Sequence, residues 1–525
     1  MRLEDTKIHL QLGQDSSLTF QNLSIALLGT YLGCDNNLVI DPAGQSQSLL
    51  DTPGCVTENV WVSGVANTAR HLLTLRDPAH PLLGHHAGCL SGRKEVSPWT
   101  HIVEVSLPGN LAGAGTLAGI NNSLVFLEKY LAAPFIGHNE RKVRQEAITL
   151  GILPQHGLQS KMEWKALPVI RRYVHGLHLG ATDILIYGMV IAKLFLHGYS
   201  RSDLSCSELL GKWFDRLDGH CDLAIPAFFA TIKGNLLTIS DSDFCTQIRD
   251  STVESAETNS KAVPKESTDL SYLDSLVSNV DTTLNYYEIE DVPVDWDGMS
   301  DLLKPQRHSQ NNIPKMQQLQ SMLGGVRLCV KRAKSALSPD SAIRIVDFCS
   351  GGGHLGIFIA HNFPGCEVIL VETKWGSLRF AKERIDELGL ENVTLCLAHM
   401  GQFRGSFEIG VSLHACGSAT DYVLAQCIRN NASIVSSPCC YGKIENSQQV
   451  TYPKSVKVNK VVDNPEDYFH LSRLADHESQ NENFMKTVDF DRVEHLKETG
   501  YMFAVISKLK PLNCSPKNNL IVAVK

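Results

Sequence analysis

The chain has 525 residues, of which 43% are hydrophobic and 20% are charged, and its formal net charge is −8. This length predicts more than one globular core. The net negative charge argues against a protein that binds nucleic acid over its whole surface, but it allows a local basic face that could do so. Fifteen irregularly spaced cysteines favour free thiols in a reducing compartment. Without an apolar leader or an apolar run long enough to span a bilayer, we expect a cytoplasmic protein with no membrane association.

The first part of the chain, 1–110, is predicted to have a mixed fold. The apolar runs Val60–Val62 and Ile102–Leu107 indicate strands. The pattern shows no C-x-x-C motif and no ordered βαβ unit, so we expect no thiol-activating site of the glutathione transferase type.

Residues 111–245 show apolar residues at helical spacing and predict an all-α module. The predicted helices are Leu124–Ala132, Arg141–Leu150, Ile170–Leu177, Asp183–Leu196 and Leu209–Leu217. Gly180–Tyr187 resembles the start of the central helix in the C-terminal domain of glutathione transferases, with Asp183 at the acidic position and Gly180 in place of the usual Ser or Thr cap. Trp213–Leu217 resembles the tryptophan helix that follows there. The resemblance implies a helical domain that packs or docks a protein partner, and glutathione is not an expected ligand.

Charge separates this module from the rest of the chain. Residues 246–300 are rich in acids, Ser and Thr and predict a loosely packed acidic linker. The sign reverses over 301–344, where eight Lys or Arg face two Asp. We therefore place a second domain at 301–525.

A strand, a glycine turn and a second strand form the most informative segment. The first strand ends in Asp347, and the second strand ends in Glu372, about 20 residues beyond the turn. Gly351, Gly353 and Gly356 give the turn its G-x-G-x-x-G spacing. This order predicts a nucleotide-binding βαβ unit in which the backbone approaches the ligand and Glu372 accepts hydrogen bonds from both ribose hydroxyls.

The acid before the turn favours one cofactor over another. The pyrophosphate of NAD would sit on the helix N-terminus, whereas S-adenosylmethionine has no phosphate and carries a cationic amino-acid part that suits Asp347. At the tip of the third strand we expect His399 and Met400 beside the adenine. The sequence therefore predicts S-adenosylmethionine as the cofactor.

The remaining elements complete an α/β fold of the Rossmann-like class I methyltransferase type, placed after the all-α module. Strands at 407–413 and 432–436 flank a helix at 419–428, and 503–509 and 519–524 are predicted to pair as a terminal hairpin. A parallel sheet finished by an antiparallel pair is typical of such methyltransferases.

Five segments carry a family resemblance: Val346–Gly356, Leu413–Gly417 with Ala419–Asp421, Pro438–Gly442, Tyr452–Ser455 and Cys514–Asn519. Through them, 301–525 resembles the methyltransferase half of the glutathione S-transferase C-terminal domain-containing proteins. The His-x-Cys-Gly and Pro-Cys-Cys elements also resemble a wider set of S-adenosylmethionine enzymes that includes tRNA 2′-O-methyltransferase relatives. The resemblance implies methyl transfer, with RNA as the preferred substrate class.

The loops after the fourth and fifth strands should face the methyl group, because ligands bind outside the carboxyl ends of an open sheet. The candidate catalytic residues on these loops are His414, Cys416, Pro438, Cys439, Cys440 and Tyr441. In the favoured interpretation Pro438 shapes the pocket, and His414 or Tyr441 orients a hydroxyl or amine of the substrate. In a second, Cys439 or Cys440 attacks a pyrimidine ring and Cys416 assists release. In a third, His414 and the three cysteines bind zinc, but adjacent cysteines are awkward ligands for one tetrahedral ion, so no metal is predicted.

Clusters of basic residues indicate either a surface that faces nucleic acid or an ordinary solvated basic face, and the sequence leaves both open. Tyr452–Ser455 and the nearby lysines form one candidate surface together with basic residues that precede the first strand of the domain. These residues are Lys315, Arg327, Lys331, Arg332, Lys334, Lys454, Lys457 and Lys460. Asp421 is expected to stabilise the N-terminus of its helix. The alternative function is a non-catalytic partner-binding protein that docks a complex through its helical module.

Overall fold

The computed structural model describes residues 6–11, 17–18, 20–32, 38–41, 54–57, 60–83, 100, 102–112, 114–132, 148–149, 171–174, 176–221, 238–239, 270–280, 286–305, 312–336, 341–447, 450–476 and 481–525. The chain divides into two compact units, Met1–Asp250 and Ser251–Lys525. Among the described residues, no helix is long and apolar enough to cross a membrane.

The first unit begins with a small mixed sheet. Its strands are β1 Lys7–Gln11, β3 Leu38–Asp41, β4 Gly54–Thr57 and β5 Val60–Ser63. Two further short strands, β2 Ser17–Leu18 and β6 Thr238–Ile239, pair with each other in a separate sheet. β1 pairs parallel to β3 and antiparallel to β4, and β4 pairs antiparallel to β5. Helix α1, Phe20–Tyr31, connects the parallel pair β1 and β3. The expectation that this region lacks an ordered βαβ unit is therefore wrong, whereas the predicted strand at Val60–Val62 is present.

Helices make up most of the other described residues of this unit. They are α2 Val65–Arg76, α3 Leu107–Ala112, α4 Leu117–Ser123, α5 Val125–Ala132, α6 Ala181–Leu196 and α7 Glu208–Cys221. The predicted strand at Ile102–Leu107 is wrong, because Ile102–Ser106 forms a π-helix that continues into α3. The predicted helix at 170–177 is also wrong in its described part, where Tyr173 and Gly176 form a β-bridge. The predicted helix Arg141–Leu150 lies almost wholly outside the described residues.

Asp183 organises the start of α6 in the way the sequence indicated. Its carboxylate accepts hydrogen bonds from the Gly180 N–H at 3.0 Å and the Val174 N–H at 2.8 Å. The indole Nε1–H of Trp213 donates to the same carboxylate at 2.8 Å. Gly180 supplies no side-chain cap, so the acid alone fixes the entry of the helix and joins it to α7.

The second unit contains the predicted Rossmann-like sheet. Its strands are β7 Ile343–Phe348, β8 Cys366–Glu372, β9 Val393–Leu397, β10 Ile409–Leu413, β11 Ser433–Ser437, β12 Phe503–Lys508 and β13 Asn519–Val524. They lie in the order β12-β13-β11-β10-β7-β8-β9. The pairs from β11 through β10, β7 and β8 to β9 are parallel, and β13 is antiparallel to both β11 and β12. The predicted terminal hairpin is thus inserted beside β11.

Helices cover this sheet and connect its strands. They are α8 Leu270–Asn279, α9 Ile313–Ala336, α10 His354–Asn362, α11 Trp375–Leu388, α12 Ser418–Asn430, α13 Val456–Asn459, α14 Pro465–Leu474 and α15 Asn481–Glu498. Helices α10, α11 and α12 follow β7, β8 and β10, which is the alternation of a doubly wound sheet. All the parallel strands therefore end at one edge, where the candidate site lies.

The predicted acidic linker does not extend to residue 300. Leu273 of α8 is buried in a cluster with Phe484 and Val488 of α15. The Tyr287 N–H donates to the Ile506 carbonyl at 2.8 Å, and the Trp296 ring stacks on Phe358 at 4.8 Å between centroids. The described residues from 270 onward therefore belong to the second unit, and its start precedes the predicted residue 301.

Candidate active site

The glycine turn after β7 has the backbone geometry that a ligand-binding loop requires. Gly351 and Gly353 have φ values of 56° and 74°, a region that side chains rarely adopt. A Cβ on Gly351 would meet nothing within 4 Å, whereas a Cβ on Gly356 would lie 2.0 Å from Leu370 Cδ2. Gly351 therefore borders open space, and Gly356 allows helix α10 to pack closely on β8. Cys349 also has a positive φ, 59°, a departure that the sequence motif did not reveal.

Two carboxylates support this turn from below and from the side. Asp347 is buried, and its Oδ2 accepts a hydrogen bond from the Gly356 N–H at 2.9 Å. Burial raises the pKa of Asp347 to about 7, against the opposing effects of the Gly356 hydrogen bond and of Lys315. Glu372 accepts hydrogen bonds from the Gly351 N–H at 2.9 Å and the Thr373 N–H at 2.7 Å. Both predicted acids thus hold the loop, and their direct contact with a cofactor stays a prediction.

Two residues near the turn have roles that the sequence argument missed. The Ser350 Oγ is buried and has no hydrogen-bond partner among the described residues. Lys315, from the first turn of α9, is close enough to lower the pKa of Asp347. An unsatisfied buried hydroxyl beside open space fits a loop that receives a polar ligand, as the carboxylate of S-adenosylmethionine would be.

The third strand tip carries the predicted adenine-side pair. His399 is half-buried, and its Nδ1 accepts a hydrogen bond from the Gly401 N–H at 3.1 Å. Its ring lies edge-on to Tyr422, with 6.4 Å between centroids. Met400 is buried, and its carbonyl accepts a hydrogen bond from Gln426. Their place at the carboxyl edge agrees with the predicted role, and contact with adenine stays a prediction.

His414 follows β10 and is held by a residue from a distant helix. Its Nε2 lies 2.9 Å from Gln318 Oε1, and Gln318 Nε2 donates to the Cys514 carbonyl at 2.8 Å. Because this second bond orients the amide, its oxygen faces the ring, and Nε2 of a neutral His414 carries the proton. Nδ1 is then the nitrogen able to accept a proton. The backbone at His414 has a φ of 65°, so the residue leaves the strand direction and turns at the sheet edge.

Three thiols from the two predicted loops converge at the same edge. Cys416 Sγ lies 3.3 Å from Cys439 Sγ and 3.3 Å from Cys440 Sγ, and the latter two are 3.6 Å apart. Cys416 is exposed, and the other two are half-buried. Burial, followed by the neighbouring thiols, raises the pKa of Cys439 far above its usual range. The thiol form is therefore favoured at neutral pH, which argues against Cys439 as the attacking nucleophile.

Pro438 and Tyr441, the remaining candidates, are buried. The Tyr441 hydroxyl donates to Asp489 Oδ2 at 2.7 Å, and the ring belongs to the cluster that contains Leu273. The prediction that Tyr441 orients a substrate hydroxyl is therefore wrong, because the hydroxyl already has a buried partner. Because Pro438 is buried, it can affect the shape of its loop.

Asp421 and Tyr452–Ser455 also have a different role from the predicted one. Asp421 is fully buried and accepts hydrogen bonds from Arg492 Nη2 at 2.7 Å and Nε at 3.0 Å, and from the Tyr452 hydroxyl at 2.6 Å. Lys454 Nζ lies 3.9 Å from Asp421 Oδ1. These residues form an internal ionic network, and not a surface that faces nucleic acid.

The basic residues of α9 that were predicted to form one face do not all lie near the site, because the helix runs away from the carboxyl edge of the sheet. Gln318 near its start contacts His414 at the carboxyl edge, whereas Cys329 contacts Ser433, the first residue of β11. Lys331, Arg332 and Lys334 are exposed beyond that point, and Arg327 pairs with Glu290 at 3.0 Å. Of the basic residues on α9, Lys315 lies at the site edge.

A family model described as a methyltransferase domain matches residues 314–447. The glutathione S-transferase C-terminal domain-containing protein homolog of Drosophila pseudoobscura pseudoobscura is 30% identical over 515 residues, which cover 88% of this chain and 83% of the relative. The chain belongs to the family of the glutathione S-transferase C-terminal domain-containing proteins. The human glutathione S-transferase C-terminal domain-containing protein is 29% identical over 548 residues, 89% of this chain and 84% of its own length.

Among solved structures, this chain is similar to magnesium protoporphyrin IX methyltransferase from Synechocystis PCC 6803 with bound SAM, at 11% identity and a TM-score of 0.27 over 43% of this chain and 89% of that one. The predicted family is confirmed by its sequence relatives. The predicted methyltransferase fold is confirmed by the family model and the strand order, and S-adenosylmethionine is the cofactor that this domain type uses.

Proposed function

We propose that this protein transfers a methyl group from S-adenosylmethionine to RNA. The observation that carries the proposal is the meeting of two features at one sheet edge: the glycine turn after β7, and His414 after β10, the strand that pairs with β7. In an open parallel sheet, neighbouring strand ends of this kind form the ligand crevice. We place the reaction in the cytoplasm, in keeping with the many cysteines of the chain.

The site residues have separate tasks in this proposal. Ser350, Asp347 and Glu372 hold the amino-acid part and the ribose of the cofactor, which supplies an electrophilic methyl group on a sulfonium. Gln318 fixes the ring of His414, whose Nδ1 accepts the proton that a substrate hydroxyl or amine loses on methylation. Most of the rate enhancement then comes from the rigid placement of the acceptor.

Positive charge around the site supports an anionic substrate. Lys315 acts on Asp347, and Lys443, which is exposed, acts on Cys440. Lys517 is close enough to the Cys439–Cys440 pair for the thiols to affect its pKa. Lys443 and Lys517 thus lie beside the loops after β10 and β11, with Lys517 also 3.7 Å from Asp476, whereas Lys315 lies beside the acid assigned to the cofactor. In a chain whose net charge is −8, such local basic residues favour a phosphate backbone as the substrate polyanion.

We also propose that the first unit is a glutathione transferase-like module that docks a protein partner. The order β3-β1-β4-β5, with one parallel and two antiparallel pairs, is that of a thioredoxin-like domain. The Asp183–Trp213 hydrogen bond joins the two helices that resemble the transferase C-terminal domain.

The test incubates the full chain with methyl-labelled S-adenosylmethionine and either total RNA or a protein extract, followed by nucleoside and peptide mass spectrometry. We expect a labelled nucleoside that disappears with His414→Ala but persists with the control His361→Ala, an exposed histidine at the end of α10. Label in protein alone would contradict the RNA proposal. Cofactor binding without any transfer would favour the partner-binding alternative.

A further inference from the structure

The three thiols at the carboxyl edge form a compact cluster with the composition of a metal site. Their sulfur atoms come from two loops that follow neighbouring parallel strands, β10 and β11. Cys416, Cys439 and Cys440 together are a group of side chains whose ligand atoms all lie within 4.8 Å of one another. Uncharged thiols are weak donors and weak acceptors, so mutual S–H contacts alone give little reason for three of them to converge.

The spacing matches one face of a tetrahedral zinc site. With Zn–S bonds of about 2.3 Å, the sulfur atoms of such a site are separated by about 3.8 Å. The distances here are 3.3, 3.3 and 3.6 Å, so a small outward shift of each sulfur would admit the ion. Cys439 and Cys440 can share one ion because β11 ends at Ser437, and the alternation of side chains in a strand no longer applies to them.

The loops that carry the thiols are fixed by contacts of their own. The Gly417 N–H donates to the Cys440 carbonyl at 2.9 Å, and a Cβ on Gly417 would lie 2.2 Å from the Lys443 carbonyl oxygen. The Tyr441 and Gly442 N–H groups donate to the Asp476 carboxylate at 2.9 and 2.8 Å. The cluster is therefore preformed by its supporting residues, as ligand shells of metal sites are.

Charge and coordination number point to the kind of ion. Three thiolates and one divalent ion leave a net charge of −1, which the exposed Lys443 beside Cys440 can balance. Thiolates select soft or borderline ions such as zinc over magnesium or calcium. The Nε2 of His414 contacts Gln318, and the described residues supply no fourth protein ligand to this group.

We propose that Cys416, Cys439 and Cys440 bind one zinc ion as thiolates and leave its fourth position for an exchangeable ligand. Three protein ligands with an open position are the pattern of a catalytic zinc site. The exchangeable ligand is water or the accepting oxygen, nitrogen or sulfur atom of the substrate. Binding releases the thiol protons to solvent. The idea that zinc binds the accepting atom of the substrate rests on the proposed methyl transfer. The proposal that the three cysteines bind zinc does not.

The test measures metal content in the full chain, purified under reducing conditions, reconstituted with zinc and desalted. We expect about one zinc per chain in the wild type and a loss of most of it in Cys416→Ser, Cys439→Ser and Cys440→Ser. The matched control is Cys206→Ser, another half-buried cysteine, in the first unit. Undiminished zinc in the three variants, or none in the wild type, would overturn the proposal.

A second measurement needs no variant that could misfold. Replacement of zinc by Co²⁺ in the wild type should give a thiolate-to-cobalt charge-transfer band and the visible bands of a tetrahedral ion. Absence of these bands would also overturn the proposal. Retained S-adenosylhomocysteine affinity in the cysteine variants separates loss of metal from loss of fold. A zinc-bound protein that methylates no RNA would contradict the proposed function while leaving the metal site standing.

Discussion

The acceptor loops are the loops after β10 and β11, which carry His414 and the three thiols. Arg492 of α15 is the residue whose replacement most directly tests how these loops are supported. It is 1% exposed, and it donates to Asp421 from Nε and Nη2 and to Asp489 from Nη1 at 2.9 Å. Asp489 also accepts hydrogen bonds from Tyr441 and Asn519. The perturbation is Arg492→Met, which keeps most of the side-chain volume and removes the charge.

The expected cost follows from the charges left behind. The variant retains two buried carboxylates; Lys454 Nζ lies 3.9 Å from Asp421, and Lys508 is close enough to Asp489 for that acid to affect its pKa. Removal of one partner of a buried ion pair costs about 3–5 kcal/mol, which for a unit of this size corresponds to a midpoint shift of about 6–20 °C. The matched control is Arg379→Met, because Arg379 is 60% exposed and pairs with Glu383 at 3.6 Å. It should change stability by about 0–1 kcal/mol.

The pH dependence of this cost identifies its cause. Burial alone would raise the pKa of Asp421, but the opposing charges of Arg492 and Lys454 leave it below its usual value. Its stabilising contribution is thus present above the unfolded pKa of about 4 and lost below it. Without Arg492, burial dominates and the folded pKa rises, so the destabilisation is full at high pH and shrinks as the carboxylates take up protons.

The assay is urea unfolding of the full chain, read by pulsed hydrogen exchange in peptides from α12 and α15. We expect Arg492→Met to lose more stability at about pH 8 than at about pH 5.5. An equal loss at both pH values would refute the reasoning, since a packing defect alone has no such dependence. A loss no greater than that of Arg379→Met would refute it as well.

Three further predictions concern the cofactor loop and His414. Gly356→Ala should weaken S-adenosylhomocysteine binding in calorimetry at least about tenfold, because the added Cβ would lie 2.0 Å from Leu370; unchanged affinity would contradict this. S-adenosylmethionine affinity should fall as the pH drops below about 7, since the pKa of Asp347 is about 7 and the protonated acid no longer attracts the cationic cofactor. Asp347→Asn should bind more weakly and lose that pH dependence, and a variant that keeps it would contradict the assignment. Gln318→Leu should lower kcat about tenfold or more without a change in S-adenosylhomocysteine affinity, because His414 loses its Nε2 partner; an unchanged kcat would contradict this.

A matched glycine variant separates the close contact at the turn from a general effect of added side chains. Gly365→Ala places a Cβ that meets nothing within 4 Å. It should bind S-adenosylhomocysteine like the wild type. A loss of affinity equal to that of Gly356→Ala would show that the contact with Leu370 is not the cause.

The parts of the fold that sequence predicted are those whose signal is local. The β7-turn-β8 segment needs glycines and acids at fixed spacing, and each predicted member of it lies in or under the turn. Asp183 likewise sits three residues after Gly180 and caps the same helix. The prediction of a strand at Ile102–Leu107 is wrong because it rests on the strand preference of β-branched residues. In the structure, Ile102 and Val103 are buried on a helical turn. Tertiary packing overrides propensity in such short apolar runs.

The parts that sequence could not predict depend on residues far apart in the chain. Asp421 and Arg492 are 71 positions apart, and Gln318 and His414 are 96 apart. Neither pair belongs to a motif. Tyr441 looked like a catalytic residue because it adjoins the Pro-Cys-Cys element, and only its contact with Asp489 shows that its hydroxyl faces inward. A sequence pattern shows where a residue lies along the chain. The role of each of these residues depends instead on the direction of its side chain and on the distant residues that the side chain contacts.

The supports of the two acceptor loops bear on the choice between an enzyme and a partner-binding protein. A protein that only senses S-adenosylmethionine needs a rigid glycine turn, but it has no need to fix the loops after β10 and β11. Here Gln318 anchors His414, and Asp476 anchors the backbone that follows Cys440. Burial of charged groups is costly even when they are paired, and here the buried Arg492 network contacts this segment, because Arg492 and Tyr441 both donate to Asp489. Such preorganisation of the acceptor side is what methyl transfer requires, and it favours the enzyme.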